Sequence, residues 1–248
     1  MGVLAVFLIA VGVADIVRKL SGPRWPALVA GPLMVILGAA AAGLWHLGDI
    51  ALLAVAAAVS VVWVVLGDAA ERTGTRQGRA LAVFGAGAAL IVAFGGWASP
   101  AAGPLGWWLP WIGLAEVEPD RALMIAGAVL LQLVTANQLV RLILGAVGAV
   151  RPVGMPQPSD RLKGGRLLGP MERLLIIGLA LGGEFGAASA VIAAKGIIRF
   201  PELTAARRES AETTDLKGLG IDEVTEYFLV GSFASWLIAL AGLALTAV

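Results

Sequence analysis

Apolar residues run along this chain in long continuous stretches, and polar residues collect in the short breaks between them. A helix that crosses a membrane needs about 20 mostly apolar residues. Stretches of that kind predict spans at about 2–17, 26–46, 49–67, 80–98, 121–149, 171–195 and 224–247. Backbone groups in hydrocarbon must be satisfied within their own segment, which favours helices. The runs do not alternate apolar with polar residues, which argues against a β-barrel. The expected fold is all-α: a polytopic transmembrane helical bundle of about seven spans, six to eight being compatible, in a single integral membrane domain over 1–248. Met1 to Val17 has no basic stretch before it, so it reads as a retained first span, not a signal peptide.

The breaks set the orientation. Basic residues gather on the cytoplasmic side of membrane proteins. Arg18, Lys19 and Arg24 follow span one, Arg72, Arg76 and Arg79 follow span three, and Arg151, Arg161, Lys163 and Arg166 follow span five. The break at Gly48 has no Lys or Arg, and the break after span four has only Arg121 beside Glu116, Glu118 and Asp120. This alternation predicts an outside N-terminus and, with seven spans, an inside C-terminus. The polar segment 196–223 fits less well, because Arg199, Arg207, Arg208 and Lys217 would then lie outside. Segment 99–120 has four prolines and Trp107, Trp108 and Trp111. Indoles favour the headgroup level, so an outer interfacial loop is expected there.

Composition sharpens the class. Of 248 residues 59% are apolar and 14% charged, with mean hydropathy +0.89. A soluble domain of this composition would expose large apolar patches and aggregate. The net charge of +1 gives no field for nucleic acid. Absence of Cys excludes thiol chemistry, and a single His excludes a multi-His metal site within one chain. No metal or cofactor is expected. His46, beside Trp45, reads as an interfacial residue without triad partners.

Charges inside spans are costly, so each is a candidate site. Asp15 and Asp68 lie near basic neighbours and are expected to pair with Arg18, Lys19 and Arg72. Span five carries Gln132, Thr135, Asn137, Gln138 and Arg141, either as interhelical glue or as a polar lining. In span six, Gly178, Gly182 and Gly186 form a small-residue packing face. Arg173, Glu184 and Lys195 recur every eleven residues, which on one continuous helix puts them within about 20° of one direction. Span six is therefore expected at the centre of the bundle, with Glu184 facing Gln132, Gln138, Arg141, Ser232 or Ser235. Arg161, Lys163, Arg166 and Arg173 surround a Gly-rich helix start and could hold an anionic lipid headgroup. No Walker A loop and no common hydrolase or zinc-site signature is present.

The stretch GRLLGPMERLLIIGLALGGEFGAASAVIAAKGIIRFPEL (165–203), followed by EYFLVGSFASWLIAL (226–240), resembles the C-terminal half of a group of uncharacterised bacterial inner-membrane proteins that contain a domain of unknown function. The resemblance covers about a third of the chain. It implies that Glu172, Arg173, Lys195, Arg199, Glu226 and Tyr227 form a shared element, and that the protein lies in the bacterial cytoplasmic membrane. That group also has a Gly-Asp-Phe motif in its first span and a later His-x-x-x-Asp motif. Here only Asp15 and Asp68 could correspond, and the histidine is missing. The resemblance brings no activity with it.

Three functions compete. The first is a small transporter or channel with its polar site around Glu184. The second is a membrane enzyme or binder of phosphorylated lipid that uses the 161–173 loop. The third is a non-catalytic scaffold or accessory subunit whose Gly178/Gly182/Gly186 face takes a partner helix or a second copy. Transport is ranked first, and enzymatic activity is not favoured.

Overall fold

Helix α1 (Gly2–Leu20) is apolar on all sides, and such a helix is stable only when surrounded. It is the centre of the molecule: residues 2–12, Ala14 and Asp15 are all buried. The computed structural model describes residues 1–150, 165–197 and 221–247, without the side chains of 165–167 and 221–224. Around α1 pack α2 (Trp25–Ala42), α3 (Leu47–Thr73), α4 (Gln77–Ala93) and one long helix made of α6 (Pro119–Leu130), a π turn (Leu131–Thr135) and α7 (Ala136–Ala146). Among the described residues four helices are long and apolar enough to cross a membrane: Trp25–Ala42, Leu47–Thr73, Pro119–Ala146 and Thr225–Thr246.

Small residues set the close crossings. A Cβ on Gly12 would meet the Leu130 backbone, one on Gly38 would lie 2.9 Å from Val6, and one on Gly87 would lie 2.7 Å from Val59. The glycines of span six do not act this way. A Cβ on Gly178 or Gly186 would meet nothing within 4 Å, and one on Gly182 only its own helix's carbonyls.

The two ends of the bundle differ. Start residues of α1 and α6 meet at one end, where Gly2 lies beside Asp120. The short helix α5 (Gly103–Trp111) is at that end too, beside Gly43, with Trp107, Trp108 and Trp111 exposed. Within the segment expected as an interfacial loop, the structure thus has a short helix with its indoles exposed. At the other end Arg18, Arg24, Asp68, Glu71, Arg72 and Arg141 come together.

The expected sixth span is not one helix. Helix α8 (Gly165–Leu181) stops, and α9 (Phe185–Ile197) starts in a new direction. Gly183 takes a φ of +84°, its N–H bonds the Ala180 carbonyl, and the Glu184 N–H bonds the Leu179 carbonyl at 2.8 Å. This is a Schellman ending, which glycine permits at no steric cost. The chain then doubles back, because Lys195 Nζ lies 2.6 Å from Glu172 Oε2. An unbroken helix would separate those residues by about 35 Å.

Helix α10 (Ile221–Thr246) runs antiparallel to α6–α7. Gly231 faces Val140 and Leu144, while Gly242 faces Ala128 and Gln132. The end of α10 therefore lies at the Trp-rich end, where α1 begins. The reversal at Gly183 means that 171–195 is not one continuous helix.

Candidate functional site

Among the described residues Asp15, Asp49 and Arg173 are buried charges, and Glu184 is not. Asp15 is fully enclosed between α1, α3 and the π turn. Its Oδ2 accepts hydrogen bonds from Trp63 Nε1 at 3.1 Å and from Thr135 Oγ1 at 2.7 Å. Its Oδ1 accepts none and faces Arg18 Nε at 3.6 Å. A buried carboxylate needs such partners, since removing it from water without them costs several kcal/mol. Trp63 was not singled out from the sequence, where a lone indole in an apolar span reads as packing. The available signal was Asp15 itself, a carboxylate within an otherwise apolar run from Gly2 to Val17.

Arg18 links Asp15 to the basic end. It donates through Nη1 to Glu71 Oε2 at 3.0 Å and through Nη2 to Gln138 Oε1. Gly67 makes room for Gln138, whose Nε2 would collide with any Cβ there. Beyond Arg18 a cleft of about 290 Å³ opens, lined by Arg18, Lys19, Gly22, Pro23, Arg24, Asp68, Glu71 and Arg141. Asp68 pairs with Arg24 at 2.7 Å and with Arg72, so its expected neighbour contact is present. Arg141 is largely exposed and approaches Glu71 at 3.8 Å.

A second polar cluster lies across the π turn. Arg173 is 1% exposed. It donates to Ser235 Oγ at 2.9 Å, to the Gln132 carbonyl at 2.9 Å and to Asn137 Oδ1 at 2.7 Å. Gln132 in turn donates to the Ile238 carbonyl at 3.1 Å. A π turn displaces carbonyls from the regular helical pattern, and the guanidinium takes one of them. These acceptors are uncharged. The reading of Arg173 as a headgroup ligand is therefore corrected: it is sealed among α6–α7, α8 and α10. Arg161, Lys163 and the Arg166 side chain lie outside the described residues.

Glu184 is exposed at the α8–α9 turn. Among the described residues its side chain meets none of its expected partners Gln132, Gln138, Arg141, Ser232 and Ser235. Span six is likewise not central. The eleven-residue stripe required an unbroken helix, and the Gly182–Gly183 break undoes it. Glu184 instead starts α9, its carbonyl accepting from Ala188 N–H at 3.0 Å. There a carboxylate faces the positive end of the helix dipole at no burial cost.

The remaining expected residues divide between these places. Gln138 and Arg141 stand at the Arg18 cluster, and Gln132 and Ser235 at the Arg173 cluster. Ser232 is buried one turn before Ser235 on α10. Of the shared motif, Glu172 binds Lys195 and accepts from Trp236 Nε1 at 2.8 Å. Lys195 also lies over the Trp236 ring. Glu226 is exposed, Tyr227 is half-buried, and Arg199 lies outside the described residues. No group of His, Cys, Asp and Glu suited to a metal ion occurs among the described residues. Comparison with protein-family models, curated proteins and solved structures finds no match.

Proposed function

We propose that this chain is a small transporter of the bacterial cytoplasmic membrane, with a polar half-pathway that opens at its basic end. The observation that carries this reading is a continuous line of polar contacts, part-buried at the cleft and buried at Asp15. It runs from the cleft through Arg18, Glu71 and Gln138 to Asp15 and Thr135, half-way along the α6–α7 helix. Past Asp15 toward the Trp-rich end, α1 is apolar, and a residual space of about 10 Å³ beside Val3, Leu4 and Ile91 is too small for a solute. A pathway open on one side and closed on the other is the resting geometry of alternating access. Asp15 is the coupling group: its Oδ1 lacks a hydrogen bond, and a proton or a closer Arg18 would complete it. The π turn is the hinge, since the Asp15 cluster and the Arg173 cluster hold it from opposite sides.

The orientation follows from the basic end, which belongs on the cytoplasmic side. The N-terminus is then outside, and the end of α10 is outside with it. The bacterial setting rests on the resemblance of the C-terminal third.

The test is uptake into proteoliposomes of radiolabelled phosphate, small carboxylates and alkali cations, with and without a pH gradient. Asp15→Asn should abolish uptake or its pH dependence, and Glu184→Gln should leave both unchanged. The reading falls if no probe is carried, or if a folded Asp15→Asn protein transports like the parent.

A further inference from the structure

The cleft at the basic end carries more positive charge than its own carboxylates can answer. Arg18, Lys19, Arg24 and Arg141 line it against Asp68 and Glu71, an excess of two positive charges. The carboxylates are already engaged. Asp68 is held by Arg24 and Arg72, and Glu71 by Arg18. That leaves Lys19 with no hydrogen bond or ion pair among the described residues, and Arg141 with only the 3.8 Å approach to Glu71. A cation would find no free carboxylate here.

We propose that this cleft binds the phosphate group of an anionic ligand, with Lys19 and Arg141 as its direct partners and Arg18 at its floor. A phosphate carries between one and two negative charges and several strong acceptor oxygens, which matches the excess. The planar fork of Arg141 suits two of those oxygens, and the Lys19 ammonium acts as a point charge. The cavity holds about the volume of ten waters, so a phosphate fits with room for an attached group. The shared chemistry is a phosphate ester, supplied either by a lipid headgroup or by a soluble compound. This deepens the transporter reading by naming its substrate class, and it rests on that reading only for the word substrate.

Binding separates the two ideas. Purified protein in neutral detergent is titrated with inorganic phosphate and glycerol 3-phosphate, with chloride at matched ionic strength as the control. In a second arm the protein is mixed with phosphatidylcholine vesicles with or without phosphatidic acid. The expected result is saturable binding in one arm, weakened by about tenfold or more in the double variant Lys19→Gln/Arg141→Gln. Saturation by the soluble probes alone assigns the free ester, and saturation by phosphatidic acid alone assigns the headgroup. Both side chains lie at the rim, and an unchanged circular dichroism spectrum and elution volume show that the variant is folded. The proposal is overturned if neither arm exceeds its control, or if the folded double variant binds like the parent. Phosphate binding without any flux would sink the transporter reading and leave the cleft assignment standing. Flux that depends on Asp15 but shows no phosphate binding would do the reverse.

Discussion

Thr135 Oγ1 donates to Asp15 Oδ2 at 2.7 Å, joining residues 120 apart in the chain in the middle of the bundle. The bond links the central helix to the one helix with a π turn. Removing its donor with Thr135→Val keeps the shape of the side chain and leaves a buried carboxylate short of a partner. A hydrogen bond to a charged group contributes about 1.5–3 kcal/mol. Unfolding in mixed detergent with increasing SDS should show a loss of that order, and Thr135→Ser should retain most of the stability. Equal stability of Thr135→Val and the parent would mean that Asp15 is not held as described.

The three acceptors on Arg173 lie on two helices, α6–α7 and α10, so truncation should loosen the contact between them. Arg173→Met leaves Ser235, Asn137 and the Gln132 carbonyl without their donor and should cost about 1–3 kcal/mol. Arg173→Lys keeps the charge but not the fork and should recover only part. If Arg173→Met instead leaves stability intact and changes only lipid binding, the headgroup role returns.

The α8–α9 reversal can be trapped covalently. The chain has no Cys, so Glu172→Cys/Lys195→Cys provides a clean pair. The two native side chains touch at 2.6 Å. A short bifunctional maleimide, which does not need the close Cα approach of a disulfide, should shift the mobility of the double variant on a gel, and neither single variant should respond. Failure of the folded pair to cross-link would restore an unbroken span six.

Glycines should divide by what surrounds them. Gly87→Ala places a Cβ 2.7 Å from Val59, and Gly38→Ala one 2.9 Å from Val6. Overpacking of this kind costs about 1–3 kcal/mol. Gly178→Ala has open space and should cost nothing from packing, with a small gain in helix propensity. Thermal unfolding in detergent ranks the three, and a Gly178 variant as damaged as Gly87→Ala would reveal a partner helix on that face.

The Trp-rich end and the end of α10 should react from one side. Single cysteines at the exposed Trp111 and at Ala247, with Arg76 as the opposite marker, can be labelled in intact spheroplasts by a membrane-impermeant maleimide. Trp111 and Ala247 should label together and Arg76 should not. Labelling of Ala247 with Arg76 and without Trp111 would put the end of α10 at the basic end.

Much of the bundle was legible in the sequence for a simple reason. The span boundaries follow hydropathy, and hydropathy is a sum over neighbouring residues. That local sum predicted the long helices at 26–46, 49–67, 121–149 and 224–247, the Trp-rich segment, and the basic breaks after spans one and three, which meet at one end. It failed at 171–195 because a Gly-Gly pair is as apolar as the helix around it, while its conformational freedom lets the chain turn. From that one error followed the wrong place for Glu184 and the supposed stripe with Arg173 and Lys195.

The sequence by itself determined the class: too few charges for a soluble domain, apolar runs long enough for helices, and basic residues segregated to one end. The tertiary structure alone decided which charge is buried. Asp15, Trp63, Thr135 and Arg18 come from three helices, and Arg173 meets its acceptors on two others. The cost of enclosing a charge depends on partners brought together by folding, and no local pattern along the chain records them.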